Sequence, residues 1–199
     1  MIFFTADEHY GHKNIIKYCN RPFKSISEMD NILISNHNDT VQNGDRVYHL
    51  GDFTLAPKKY AYRYLERLNG EHTMIRGSHD KWMDRGFKEI IEITIEGQRI
   101  VLCHYAMRTW AASHYNSWQL YGHSHGTLTP IGKQMDVGVD VCQFRPISFE
   151  DISVAMNYRE NNFNLISSPP GISPSESSVR YLAGPTIPCV PSSPCAFSG

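Results

Sequence analysis

The stretch Arg46-Val-Tyr-His-Leu-Gly-Asp-Phe53 most constrains how this chain can fold. Its first half is rich in residues that favour a β-strand, and Gly51 permits a sharp turn where the strand ends. The carboxylate of Asp52 is therefore predicted to lie just past the end of a strand. Taken alone, a Gly-Asp pair after a strand is a weak indication of function.

The same arrangement recurs along the chain. Four other apolar, β-like runs also end in residues that bind metals or transfer protons: Asp7-x-His9, Gly77-Ser-His-Asp80, His104 and Gly122-His-Ser-His125. If these runs are neighbouring strands, their ends converge on one side of a sheet, with Asp52 in the middle. At least five of the ten histidines fall in these strand-end positions.

The order of predicted elements indicates an α/β fold. Helical patterns alternate with strands in the first half, whereas the second half has hairpin-like strands around Glu96-Gly-Gln. Ser25 and Glu28 form a capping box that predicts the start of a helix running to about Asn38. Further elements are predicted at residues 2–6, 58–68, 72–76, 89–95, 99–103 and 134–140, with a last helix beginning at Ser148. We expect an α/β sandwich with a mixed sheet.

Length and composition narrow the class of protein. A chain of 199 residues can bury the core of one domain. A net charge of −1 argues against a large basic surface for long nucleic acids, but not against a small nucleotide substrate. No run is long enough to span a membrane, and the N-terminus does not resemble a signal peptide. The five cysteines lack metal-site spacing, which suggests reduced thiols in a cytoplasmic protein.

A change of composition near Asn161 predicts a domain boundary. Seven of the eleven prolines lie from Asn162 onward, and few charged residues accompany them. Such a segment lacks the periodic apolar surface that would offset its ordering entropy. We therefore predict a domain over residues 1–160 and a disordered, Pro/Ser-rich tail over residues 161–199.

The strand-end residues form a set suited to two metal ions. A carboxylate such as that of Asp52 has lone pairs enough to bridge two cations. Two divalent ions about 3.5–4 Å apart can clamp a phosphoryl group and activate a water. Nitrogen and oxygen ligands without thiolate suit Mn²⁺, the first candidate, or Fe, Zn²⁺ and Ni²⁺, better than Ca²⁺ or Mg²⁺. The candidate ligands are Asp7, His9, Asp52, His104, His123 and His125.

The ordered motifs resemble those of the calcineurin-like metallophosphoesterases, from Ile2 to about Ile152. Asp136-Val-Gly-Val-Asp140 and Arg145-Pro-Ile-Ser-Phe149 are similar to a compact bacterial and phage branch of that family. The resemblance implies a two-sheet β-sandwich flanked by helices. It assigns Asp7, His9, Asp52 and His125 to a first ion, and Asp52, His104 and His123 to a second. It also implies that His79 is the general acid or a phosphate contact and that Asp80 orients it.

One position departs from the family pattern. The family has Asn where this chain has Ser78, and that side chain ligates the second ion. Serine is shorter and a poorer ligand, so the resemblance implies a second ion that is bound weakly or through a water.

Four residues are candidates for substrate binding. His12 either contacts phosphate near the first ion or caps the following helix through its ring. Arg108, Trp110 and His114 either form a substrate wall, with Arg108 meeting a phosphate oxygen, or belong to an aromatic minicore that steadies their loop.

The leading hypothesis is a two-metal phosphoesterase that attacks phosphorus with a metal-activated hydroxide. A small nucleotide or cyclic nucleotide is the favoured substrate, because the aromatic loop could stack a base. Two alternatives remain. One is a metal-dependent nuclease. The other is a catalytically impaired binding module, a role that the resemblance allows because the family includes a binding protein that has lost several metal ligands.

Overall fold

The computed structural model describes residues 1–84 and 86–166. Its strands are β1 (Ile2–Thr5), β2 (Arg46–His49), β3 (Glu71–Met74), β4 (Ile90–Ile95), β5 (Gln98–Cys103), β6 (Trp118–Tyr121), β7 (Gln134–Asp136) and β8 (Ile147–Ser148). The helices are α1 (Lys13–Tyr18), α2 (Ile26–Thr40), α3 (Lys58–Leu65) and α4 (Phe149–Asn157), and a 3₁₀ turn covers Ser113–Tyr115.

The strands form two mixed sheets of four. The first has the order β3-β2-β1-β8, in which β1, β2 and β3 are parallel and β8 is antiparallel. The second has the order β4-β5-β6-β7, in which β5, β6 and β7 are parallel and β4 is antiparallel. Parallel strands end at a common edge, so the loops after β1, β2 and β3 emerge together, as do those after β5 and β6. The predicted two-sheet α/β sandwich with mixed sheets is confirmed.

Two apolar clusters hold the layers together. One joins side chains of both sheets to α4, including Phe4, Leu50, Leu102, Leu120 and Ile152. The other packs the first three helices against the loops of the first sheet. Each fully buried large side chain in these clusters contributes roughly 1.5–3 kcal/mol relative to exposure. The sandwich is therefore a rigid support for the loops at its edge.

The predicted helix start at Ser25 is confirmed. Its hydroxyl accepts a hydrogen bond from the amide of Glu28 at 3.1 Å, and the Glu28 carboxylate accepts one from the amide of Lys24 at 2.6 Å. These bonds satisfy amides that have no partner within the helix. The hairpin turn at Glu96 and Gly97 is confirmed as well, and both residues have positive φ angles.

The strand predicted over residues 134–140 is shorter than expected. It ends at Asp136 because the chain then leaves the ladder with β6. The amide of Gly138 donates to the Asp136 carboxylate at 2.8 Å, and the amide of Val139 donates to the carbonyl of Ala6 at 3.0 Å. The segment after β7 thus crosses to the loop that follows β1.

The predicted domain boundary lies too early. Residues 161–166 pack on the domain, and Asn162 is buried. Its side-chain amide donates to the carbonyls of Ser113 and Ser117, each at 2.9 Å, and its oxygen accepts from the amide of Lys133 at 2.8 Å. A polar side chain with three hydrogen bonds can be buried at little cost, which a composition argument does not detect. The predicted tail from residue 167 onward lies outside the described residues.

Among the described residues, none of the helices is both long and apolar enough to cross a bilayer.

Candidate metal centre

The backbone of the strand-end loops is unusual at the candidate ligands. Asp7, His9, Asp52, His123 and His125 all have φ angles between 47° and 67°, in the left-handed region. Residues other than glycine rarely adopt this conformation, and it tends to cluster at functional sites. Five such residues along one edge indicate that the conformation of these loops serves a functional site.

The structure brings the predicted ligands together in two groups. One contains Asp7, His9 and His125, and the other contains Asp52, His104 and His123; within each group, one ligand atom from each residue lies within 4.8 Å of the others. The groups adjoin at Asp52, whose Oδ2 lies 3.7 Å from His9 Nε2 and 3.3 Å from His104 Nε2.

Among the residues that the structure describes, two buried nitrogens in these groups have no hydrogen-bond partner. They are the Nε2 atoms of His9 and His104, which face the Asp52 carboxylate from opposite groups. A buried polar atom without a partner is costly and calls for an explanation, such as an ion. The donor set of imidazole nitrogens and carboxylate oxygens fits divalent transition metals. The residues present therefore fit the implied metal ions.

Close packing of the backbone brings the Gly77-Ser-His-Asp80 motif against Asp52. A Cβ atom on Gly77 would lie 2.4 Å from Asp52 Oδ1 and 2.3 Å from its amide nitrogen, so only glycine fits there. This contact lets the amide of His79 donate to Asp52 Oδ1 at 2.8 Å.

Asp80 acts differently from the expectation that it orients His79. Its carboxylate accepts hydrogen bonds from the amides of Asp52, Phe53, Thr54 and Gly77 and from the indole of Trp82, at 2.7–3.2 Å. Among the described residues, none of its hydrogen bonds reaches the imidazole of His79. Because its two oxygens accept hydrogen bonds from the backbone amides of residues 52–54 and of Gly77, Asp80 fixes the loop that carries Asp52.

Ser78 contacts Asp52 directly. Its hydroxyl donates to the two carboxylate oxygens at 3.2 and 3.1 Å. In this arrangement the serine competes for lone pairs of Asp52. The weak second ion that the sequence suggests therefore stays a prediction.

Burial and charge act in opposite directions on the ionisable groups. Burial raises the pKa of Asp7 to about 7 and lowers that of His9 to about 3. Burial also opposes ionisation of Asp52 and His104, but their mutual electrostatic attraction lowers the pKa of Asp52 and raises that of His104. Protons that bind to these groups compete with metal ions for the same atoms.

His12 and His79 border a cavity of about 350 Å³ above the two groups. His79 has 39% of its side chain exposed, and its Nε2 lies 3.9 Å from Asp52 Oδ2. Nδ1 of His12 lies 3.4 Å from Nδ1 of His9. The His12 side chain makes no capping hydrogen bond to α1. The structure therefore favours the cavity over the helix cap as the place of His12.

The structure does not bring Arg108, Trp110 and His114 to that cavity. Trp110 is buried and donates to the carbonyl of Ser117 at 3.1 Å. The Arg108 guanidinium stacks 4.6 Å from the Phe163 ring centre, beside a different cavity. His114 packs against its neighbour Tyr115. These contacts match the minicore alternative for the loop.

Sequence reasoning gave no role to Arg21, Cys19 or Asp140, which lie beside the first group. The atoms of Cys19, His125 and Asp140 are close enough for a cation. However, Arg21 donates to both oxygens of Asp140, at 2.8 and 2.7 Å, so a positive charge already lies there. In the sequence, a role for these residues was indicated only by the place of Asp140 in the Asp136-Val-Gly-Val-Asp140 motif.

Comparisons with known proteins agree with this geometry. Residues 6–136 match the calcineurin-like phosphoesterase superfamily domain. The uncharacterized protein MJ1445 of Methanocaldococcus jannaschii is 37% identical over 158 residues, which cover 75% of this chain and 87% of that protein. A solved structure of AQ665 from Aquifex aeolicus, a protein of unknown function, is 24% identical, with a TM-score of 0.62 over 78% of this chain and 98% of that one. This chain belongs to the calcineurin-like phosphoesterase superfamily.

Proposed function

We propose that this chain is a dinuclear-metal-dependent phosphoesterase that hydrolyses a small phosphoester, with Mn²⁺ as the favoured ion. A nucleotide or cyclic nucleotide stays the substrate that the sequence suggests, although the loop residues expected to stack a base lie away from the cavity. The observation that carries the proposal is the pair of unpartnered nitrogens, His9 Nε2 and His104 Nε2, on either side of Asp52 Oδ2. A hydrogen-bonded structural cluster would leave neither nitrogen without a partner.

Asp7, His9 and His125 would hold one ion, His104 and His123 the other, and Asp52 would bridge both. When bound, two divalent ions neutralise charge on phosphoryl oxygens and ease deprotonation of the attacking water. Asp80 keeps Asp52 in place through the backbone around it.

His79 is the best placed proton donor in the cavity. Its half-exposed imidazole can reach a substrate, while its own amide is anchored on Asp52. We assign it to protonating the leaving ester oxygen, a role that typically contributes 10²–10⁴-fold to the rate. His12, on the same cavity wall, would donate a hydrogen bond to a phosphoryl oxygen.

The size of the cavity supports a small substrate. About 350 Å³ is at the lower end of the volumes typical of ligand pockets. The net charge of −1 gives no general attraction for a long polyanion. A reducing, cytoplasmic location stays an expectation from the five scattered cysteines, which lack metal-site spacing.

Hydrolysis of nitrophenyl phosphate monoesters and diesters, with and without added Mn²⁺, tests the proposal. We expect turnover only with metal, and a fall of about 10²–10⁴-fold in kcat for His79→Gln with metal content unchanged. A protein that binds metal but cleaves neither class of ester, nor any nucleotide, would contradict the proposal and favour the binding-module alternative.

A further inference from the structure

Arg21 connects the loop of the first ligand group to the segment after β7. Its side chain is fully buried. One edge of the guanidinium donates two hydrogen bonds to the Asp140 carboxylate, at 2.8 and 2.7 Å. The other donors reach the backbone carbonyls of Asp7 and Glu8, at 2.6 and 3.0 Å. Arg21 therefore touches the backbone that gives Asp7 and His9 their positions.

Asp140 contacts His125 as well as Arg21. Its Oδ2 lies 2.6 Å from His125 Nδ1. A carboxylate that already accepts two bonds from a guanidinium can only accept another, so Nδ1 must carry the proton. The lone pair of a neutral His125 is then on Nε2, as ligation through that atom requires.

The segment between Asp136 and Asp140 fits around the first group. Gly138 lies so close to Asp7 that a Cβ atom there would be 2.8 Å from Asp7 Oδ2. At the other end, Asp136 accepts hydrogen bonds from the Ser124 hydroxyl at 2.7 Å and the amide of Gly126 at 3.0 Å. These bonds clasp the turn that carries His125.

The second group is held by other contacts. His104 Nδ1 donates to the carbonyl of Leu50 at 2.8 Å, and Asp80 fixes the backbone of Asp52. Neither contact involves Arg21 or Asp140. The second group meets the first through the amide of His123, which donates to the Asp7 carboxylate at 3.0 and 2.8 Å, so Arg21 and Asp140 support the first group directly and the second only indirectly.

We propose that Arg21 and Asp140 are a positioning pair that sets the affinity of the first ion far more than that of the second. This inference rests on the proposed two-ion site. The pair touches no substrate. It fixes the protonated nitrogen of His125 and the loop that carries Asp7.

The variant Asp140→Asn tests the link to His125. If the amide NH₂ takes the place of Oδ2, it faces Nδ1, which must then accept, and the ring proton moves to Nε2 and blocks ligation. If it takes the place of Oδ1, it faces Arg21 Nε, and that hydrogen bond to Arg21 is lost. In a Mn²⁺ titration followed by electron paramagnetic resonance, we expect one dissociation constant to rise about 10–100-fold and the other to change far less. Nitrogen NMR of the metal-free protein distinguishes the two orientations, because only the first changes His125 from the Nδ1-protonated to the Nε2-protonated form.

The variant Arg21→Gln tests the link to the loop, with Arg159→Gln as its matched control. Arg159 also donates to two backbone carbonyls, those of Gly132 and Pro130 at 2.8 and 3.0 Å, but contacts neither ligand group. We expect the first ion to be weakened by Arg21→Gln alone, even if both variants lower the melting temperature. If Arg21→Gln fails to fold, the Asp140→Asn titration decides.

Equal loss of both ions in Asp140→Asn, or unchanged affinity for both, would overturn the inference. A wild-type protein that binds two ions but hydrolyses no phosphoester would overturn the proposed function instead and leave this inference to be decided by the titration.

Discussion

Two clusters of buried histidines lie in this domain, and they differ in how their ring nitrogens are used. In the candidate metal centre, Nε2 of His9 and Nε2 of His104 lie beside Asp52 and have no hydrogen-bond partner within the described part of the chain. In the second cluster, His49 contacts Glu8 and His72 at 2.6 and 3.0 Å, through its two ring nitrogens. His37 and the other nitrogen of His72 donate to the carbonyls of Asn69 and Leu68, at 2.9 and 3.3 Å.

The protons of the second cluster follow from these contacts. The carbonyl of Leu68 can only accept, so His72 carries its proton on Nε2 and accepts on Nδ1. His49 must then donate from Nε2 and accept on Nδ1, which makes Glu8 the donor. This order agrees with burial, which raises the pKa of Glu8 to about 8 and lowers that of His49 to about 3. The pair is a neutral hydrogen bond, although its geometry resembles a salt bridge.

The comparison teaches that a buried histidine by itself does not indicate a metal site. In the second cluster both ring nitrogens of His49 and of His72 meet a donor or an acceptor, and the atom without a partner among the described residues is Oε2 of Glu8. In the first cluster two ring nitrogens without a partner face one carboxylate. We therefore expect the first cluster to control metal content and the second to control stability.

The largest expected effect is that of Asp52→Ala. Asp52 is the residue that faces both groups, so its loss should remove both ions and lower turnover at saturating Mn²⁺ by well over tenfold, of the order of the 10²–10³-fold cost of losing one main catalytic contact. Far-ultraviolet circular dichroism should be unchanged, because Asp52 lies at the sheet edge. Elemental analysis and a rate assay measure the two quantities. Retention of a tenth of the wild-type rate would show that Asp52 does not bridge.

His37→Ala should have the opposite profile. The change removes a buried ring and a hydrogen bond to the carbonyl of Asn69, so we expect it to lower the free energy of unfolding by about 1–3 kcal/mol. Metal content of the folded protein should be unchanged. Urea unfolding and elemental analysis of the same sample check this. A lost ion would mean that the two clusters are not separate.

The second cluster should also make stability depend on pH. Burial lowers the pKa of His37 from 6.5 to about 3, so the unfolded chain binds this proton more readily than the folded one. The stabilisation is fully present above pH 6.5 and is lost as the pH falls from 6.5 towards 3, by up to about 1.4 kcal/mol per pH unit for each such histidine. His37→Gln should reduce that slope by one proton when unfolding is measured across pH 4–7 on metal-free protein. An unchanged slope would contradict the buried, neutral state of His37.

The smallest expected effect concerns Ser78→Asn. An amide carbonyl could reach the second ion, whereas the serine hydroxyl donates to Asp52. We expect affinity for the second ion to rise by about tenfold or more, by analogy with the 10–100-fold effects of changes around metal sites, and turnover at limiting metal to rise with it. A titration that finds two equally tight sites in the present protein would show that serine is an adequate substitute.

The fold and the gathering of the ligands could be predicted from sequence because both depend on local patterns. The strands before Gly51 and Gly122 can be predicted because β-forming residues are followed there by a turn. The roles of Asp80 and Arg21 could not be predicted, since each depends on contacts between segments far apart in the chain. Arg21 and Asp140, for example, are 119 residues apart. Trp110 was ambiguous because an aromatic residue in a loop can pack inward or face a substrate.

The most direct test is a crystal structure of the protein grown with Mn²⁺, with anomalous diffraction used to locate the ions. We predict two anomalous peaks about 3.5–4 Å apart, one against Asp7, His9 and His125 and one against His104 and His123, with Asp52 between them. A single peak, or peaks away from Asp52, would contradict the bridged two-ion centre.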